Sequence, residues 1–232
     1  PTTIYKKQKL DRDDIVDIID FDVVNFMKAE MRLMLDEEAA VAALIGDGRL
    51  ASSDDKIDEA CIRPIWTDAD LYSVKKLINI ETTDTADTKA KKFIREVVKA
   101  RKDYKGSGNP TCYTTEDVLT DCLLLEDSTG RVIYDTVEKL ATALRVKEIV
   151  TVAPMEGKTR RVEAVDHSLL AIIVNPDDYT VGADKGGSAT MFDDFDIDYN
   201  KMIYLIETRF SGALTKPYSA IVIESAPASV AP

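Results

Sequence analysis

One histidine and three cysteines are all that this chain of 232 residues offers in the way of soft nucleophiles and soft metal ligands. His167 stands between Asp166 and Ser168, so the three residue types of a hydrolytic triad are adjacent. Acyl transfer needs an activated serine beside an oxyanion hole, and no Gly-x-Ser-x-Gly elbow occurs to supply one. His167 therefore reads as a loop histidine without a catalytic role. Cys61, Cys112 and Cys122 are odd in number and lack the paired spacing of a zinc site, so they read as reduced, buried thiols.

The strongest cation motif is Asp194-Phe-Asp196-Ile-Asp198. A calcium loop would require glycine where Tyr199 stands and glutamate where Leu205 stands, and it has neither. The aspartates read as the charged face of a strand, and no metal site is expected. Gly46-Asp-Gly48 and Lys185-Gly-Gly-Ser lack the Lys-Ser/Thr of a phosphate loop and do not open helices, so both read as turns. Lys89, Lys91, Lys92, Lys99, Arg101 and Lys102 recur at helical spacing with Glu96 and Asp103 among them, the pattern of a solvated helix face. No catalytic or cofactor-binding residue emerges.

A net charge of −12 argues against a protein that grips nucleic acid through clustered cations, but does not exclude a container that encloses nucleic acid without adhering to it. No run approaches the eighteen apolar residues of a membrane helix, and Pro1-Thr-Thr-Ile does not read as a signal peptide, so a soluble product is expected.

The elements that would position these residues give an α+β protein. Ile4 to Leu10 alternates like an exposed strand whose pairing partner is expected to lie outside this sequence, and Asp11-Arg-Asp-Asp reads as a turn. A long helix, about residues 20–45, carries Val24, Met27, Met31, Met34 and Leu35 at three-and-four spacing and ends at Gly46, which can take a left-handed C-cap. A short helix is expected within 68–79. Asp87 is expected to cap a second helix with Ala90, Phe93, Ile94, Val97 and Val98 on one face. Lys105-Gly-Ser-Gly-Asn-Pro110 reads as the linker. Beyond it, Thr114 and the Asp135/Glu138 pair are expected to cap two shorter helices, with a turn at Asp127-Ser-Thr-Gly130 between them. Strands are expected at 148–153, 160–165 and 169–174, and a flexible break at 182–188. The most telling stretch is the last. Phe195 to Phe210 reads as one strand of about sixteen residues, roughly 50 Å at ~3.3 Å per residue and far beyond the usual 5–6. Its run Met202 to Ile206 suggests cover on both faces. A turn at 211–217 and a closing strand from Tyr218 to Glu224 follow.

The helix Phe21-Asp-Val-Val-Asn-Phe-Met-Lys-Ala-Glu-Met-Arg-Leu-Met-Leu-Asp-Glu-Glu leading to Ile45-Gly-Asp-Gly48 resembles the spine helix of tailed-bacteriophage major capsid proteins, the Hong Kong 97-type fold. Tyr204-Leu-Ile-Glu-Thr-Arg-Phe-Ser-Gly-Ala-Leu-Thr-Lys-Pro217 with its closing strand resembles the same family, in the expected order. The resemblance implies residues 1–10 as the returning strand of an extended loop, a peripheral domain of 11–107 and 191–232, and an inserted axial domain of 108–190. It implies a head protein that self-assembles as pentamers and hexamers into an icosahedral shell around DNA, without sequence-specific binding, membrane or cofactor. Scaffold, portal and decoration proteins are the implied partners, the virion capsid the location, and the bacterial host cytoplasm the place of synthesis. Family members carry more sequence before the spine helix, so the chain is expected to be truncated and to assemble poorly. Asn200 and Glu207 match the spacing of a family cross-link whose donor lysine would lie in the absent loop, with Lys6, Lys7 and Lys9 as poor substitutes. Packing at subunit contacts is the expected role of Asn200, Glu207 and Arg209. An encapsulin-like nanocompartment shell protein is the alternative of the same fold, and an Asp-rich metal-dependent hydrolase using Asp193 to Asp198 is the distant one.

Overall fold

Strand and helix periodicities resolve into ten strands and four helices among the described residues of a computed structural model, which are 1–11, 23–50, 52–54, 56–81, 83–183 and 189–227. In chain order the first elements are β1 (Thr2–Asp11), α1 (Val23–Leu44), β2 (Ser73–Ile80) and α2 (Ala86–Ala100). Then come β3 (Thr111–Thr114), α3 (Glu116–Leu123), α4 (Val137–Leu144), β4 (Ile149–Thr151), β5 (Thr159–Val162) and β6 (Val165–Val174). The last are β7 (Tyr179–Ala183), β8 (Thr190–Asp196), β9 (Lys201–Leu214) and β10 (Ala220–Pro227). The chain divides into two compact units, residues 1–64 with 181–213, and 65–180 with 214–232.

In the first unit β9 is the spine of a ribbon. β1 runs antiparallel to it from Thr2 opposite Phe210 to Asp11 opposite Lys201. β8 flanks the other side, from Thr190 opposite Glu207 to Asp196 opposite Lys201. The partner of β1 is thus in this chain, not outside it. The single long strand expected from Phe195 to Phe210 is instead a hairpin, reversing between Asp196 and Lys201. Asn200 makes that reversal possible, since its φ of +52° lies in the left-handed region that Asn enters more readily than most residues. Period-two alternation survives such a reversal, so the pattern could not reveal it.

β9 then buries one face rather than two. Tyr204, Ile206 and Phe210 meet Ile4, Met31, Leu35, Ala42, Ile57 and Ile62 in a core against α1. Met34, expected on that face, is exposed. Gly46 and Gly48 both have positive φ where α1 ends, as the C-cap reading requires. The turn expected at 11–14, the start of the helix before Val23 and the break at 184–188 lie outside the described residues.

In the second unit the sheet order is β2-β10-β6-β3-β4, with β5 on β6. β2 lies parallel to β10, and β10 is antiparallel to β6. The segment expected as a short helix at 68–79 supplies β2, because its residues register against β10 from Ser73 opposite Ala220 to Ile80 opposite Pro227. Tertiary pairing overrides a helical spacing that only a few apolar residues carried. α2, α3 and α4 contribute Phe93, Val97, Leu119, Leu140 and Leu144 to a core with Ile173, Ile221 and Ile223. Cys112 and Cys122 lie in it, and burial pushes both thiols up to about 12, which makes them inert hydrophobes.

Several expected boundaries move. Thr85, Thr115 and Thr136 cap the three helices in place of Asp87, Thr114 and Asp135. The expected linker at 105–110 is pinned: the Ser107 amide and hydroxyl donate to Asp178 at 2.6 Å each, and Asn175 Nδ2 donates to the Ser107 carbonyl at 3.1 Å. The division between units accordingly falls elsewhere than 11–107 with 191–232 and 108–190. Residues 65–107 pack with 108–180 because β2 needs β10 and the apolar face of α2 needs the same sheet.

Candidate functional site

Two places concentrate what the chain has to offer, one in each unit. The ribbon of the first unit ends in an exposed tip. β8 buries none of its residues, and Phe192, Ile197 and Tyr199 stand in solvent, Ile197 at 84 % exposure and Tyr199 at 69 %. Isolated exposed apolar residues are normal, but a cluster of them at one tip marks a surface for contact. Charge is also sorted here: Asp193, Asp194 and Asp196 lie on β8, whereas Lys6, Lys7 and Lys9 lie on β1. Lys9 crosses β9 to Asp196 at 3.2 Å and sits 5.6 Å from the Tyr199 ring centroid, while Lys201 meets Asp11 at 3.1 Å. Of these aspartates Asp196 is the one that meets Lys9, while Asp194 Oδ1 accepts from Phe195 N at 2.8 Å. Among the described residues no group of three or more His, Cys, Asp or Glu is arranged to hold a metal ion.

The three expected contact residues all belong to this ribbon. Asn200 is exposed at the hairpin turn, not on the strand. Glu207 is half-buried between Tyr5 and Thr190, and Arg209 is exposed opposite Thr3.

The second place is a buried ion cluster on the sheet of the other unit. Glu224 on β10 is 2 % exposed. Arg160 on β5 grips its carboxylate with Nε at 2.5 Å and Nη2 at 2.8 Å, Trp66 Nε1 donates at 2.7 Å, and His167 Nδ1 on β6 lies 3.2 Å away. Burial pushes the Glu224 carboxyl up, but the hydrogen bonds from Arg160, Trp66 and His167 outweigh it and hold the group below its ordinary value. His167 is therefore not a loop residue without a partner; it is on a strand and helps to hold Glu224. The cluster has no nucleophile among its partners and every one of them is spent on the carboxylate, so what it does is clamp β5, β6 and β10 together. No local signal could have found it, since the partners lie 57 to 158 residues from Glu224 in the sequence.

Asp47 is a smaller example of the same device, this time in the first unit. Its side chain is 0 % exposed and accepts from Ile57 N at 2.7 Å, Arg49 N at 3.1 Å and Lys56 Nζ at 3.2 Å. Burial raises its pKa, and these bonds more than reverse that, fixing the loop after α1.

Neither a family model nor a curated protein matches the sequence. Solved structures do match over nearly the whole chain. The capsid of an empty GTA particle is 14 % identical with a TM-score of 0.61, covering 97 % of this chain and 72 % of that one. The mature capsid of bacteriophage PhiM1 is 13 % identical with a TM-score of 0.55, covering 100 % and 72 %. A Mycobacterium phage Ogopogo chain is 10 % identical with a TM-score of 0.61, covering 97 % and 75 %. At these identities the likeness is one of fold, and the fold is a phage-capsid-like α+β fold.

Proposed function

We propose that the chain is the major capsid protein of a tailed bacteriophage, of Hong Kong 97 type, and that copies of it close into an icosahedral shell around DNA. The observation that carries this reading is the likeness of fold over 97–100 % of the chain to subunits of two capsids. The exposed tip of the ribbon supports it, because a shell subunit must keep apolar surface for its neighbours. So does the chemistry of the described residues, which is spent on holding strands and loops together. In this reading α1 and the ribbon belong to the peripheral domain, and the six-stranded sheet with its helices forms the axial domain around five-fold and six-fold centres. Asn200, Glu207 and Arg209 lie at subunit contacts. The role is structural, without catalysis or cofactor, and the chain is made in the host cytoplasm before entering the virion.

Light scattering and negative-stain images of this chain, and of its gene's full-length product, test the proposal. Closed shells of megadalton mass from the full-length product are expected. If both stay small even with a scaffold protein co-expressed, the shell reading fails.

A further inference from the structure

In a chain with twelve more acidic than basic residues, two arginines converge on a cavity of 320 Å³ lined by Arg101, Asn109, Thr142, Arg145 and Val146. All of it lies within the unit of 65–180. Arg101 follows the last residue of α2, and Arg145 follows the last residue of α4. The Arg101 Nε donates to the Arg145 carbonyl at 3.2 Å, and its guanidinium carbon lies 4.6 Å from the Tyr104 ring centroid. The Asn109 amide, oriented to satisfy both neighbours, donates to that same carbonyl at 3.2 Å and accepts from Lys147 N at 3.3 Å. These contacts fix one edge of the Arg101 guanidinium and leave Nη1 buried without a hydrogen-bond partner.

A cation at a helix C-terminus is commonly explained by the helix dipole, and both arginines occupy such ends. That explanation accounts for the Nε bond but not for a second guanidinium at the same cavity, nor for Nη1, which is buried without a hydrogen-bond partner at a cost in free energy. Nor do the charges cancel. Two helix ends contribute about −0.5 each against +2 from the guanidiniums, leaving the cavity net positive. The groups acting on Arg101 are burial, Tyr104 and Arg145, with no carboxylate among them. An adjoining groove that shares Thr142 and Val146 carries two acids, Glu138, and Glu148 at 3.7 Å from Lys147 Nζ. Arg145 also has φ +60°, the left-handed conformation in which glycine is the least costly residue at a helix end.

We propose that this cavity is an oxyanion site that takes a phosphate group between the guanidiniums of Arg101 and Arg145. A tetrahedral oxyanion presents several acceptors at once to the two guanidinium forks and offsets their charge, which neutral water does not. The inference does not depend on the shell reading, and the source of the phosphate is either a free oxyanion or the backbone of a nucleic acid.

Calorimetric titration of the 232-residue chain with inorganic phosphate, against chloride and acetate at matched ionic strength, tests it. Saturable binding of phosphate in preference to acetate is expected. Arg145→Gly removes one guanidinium while suiting the left-handed backbone, so it should melt at least as high as the parent without phosphate and bind phosphate about tenfold more weakly or worse. Arg101→Lys keeps the charge but loses the fork, and should fall between the two. Titration with a short DNA duplex separates the sources. Duplex binding that is steep in salt and lost in Arg145→Gly assigns the phosphate to nucleic acid; phosphate binding without duplex binding assigns a free oxyanion. Equal responses to phosphate and acetate, equal affinities for parent and Arg145→Gly, or no binding to either probe overturn the proposal.

Discussion

The two units bury their sheets in opposite ways. In the second, Ala171, Ile172 and Ile173 on β6 and Ala220 to Ile223 on β10 are all at 0 % exposure, so consecutive residues are covered and both faces of the sheet are inside. In the first, β9 buries alternate residues, Tyr204, Ile206 and Phe210, and β8 buries none. The central strands of one sheet are covered on both faces. The other keeps one face and a tip in water, held in place by its pairing with β1 and by a thin core against α1. Deep burial and exposed apolar surface thus fall on different strands.

Substitutions can break that contrast, beginning with the thin core. Met31, 3 % exposed on α1, sits where an aspartate would be an unpaired buried charge. Met31→Asp is expected to cost several kcal/mol, about 4 or more, and to abolish soluble yield; yield and melting like the parent's would remove Met31 from the core. In the other unit Glu224→Ala strands Arg160 without its carboxylate, with an expected loss of about 3–5 kcal/mol in chemical denaturation. A loss below about 1 kcal/mol would mean that the cluster relaxes into water rather than clamping the strands.

Acid should act on both units together. The Asp47 and Glu224 carboxyls are both held below their ordinary values. A depressed folded-state pKa contributes stability that is fully present above the unfolded value, about 4, and is lost as pH falls through the folded one. Urea midpoints are therefore expected to be flat near neutrality and to drop below about pH 4, with a shallower drop in Glu224→Gln. A steep loss between pH 5 and 7 would point to other groups.

The smallest effect on folding should be the most telling for function. Ile197→Asp, at the exposed tip, is expected to change stability by no more than about 0.5 kcal/mol. Under the shell reading it should nonetheless lower the yield of assembled particles in light scattering. Unchanged assembly would show that the tip is not a contact surface.

Legibility followed the range of the interactions involved. The helices at 23–44 and 86–100 and the glycine stop at Gly46 were readable because periodicity and capping act over a few residues. β2 was misread because a handful of apolar residues fits either period, and its partner β10 lies about 150 residues away. Asn200, Glu207 and Arg209 are expected on one continuous strand, whereas the segment is a hairpin with Asn200 at its bend.

What the residues determined by themselves was the α+β class, the long helix with its core-facing Met31 and Leu35, and strands with one wet and one dry face. Tertiary structure alone decided where the ribbon reverses, that β1 returns to β9, and that His167, Arg160 and Trp66 meet at Glu224. The reason is physical. A two-residue alternation keeps the same faces whether the chain runs on or doubles back, and a buried carboxylate is satisfied by whichever donors the sheet brings to it.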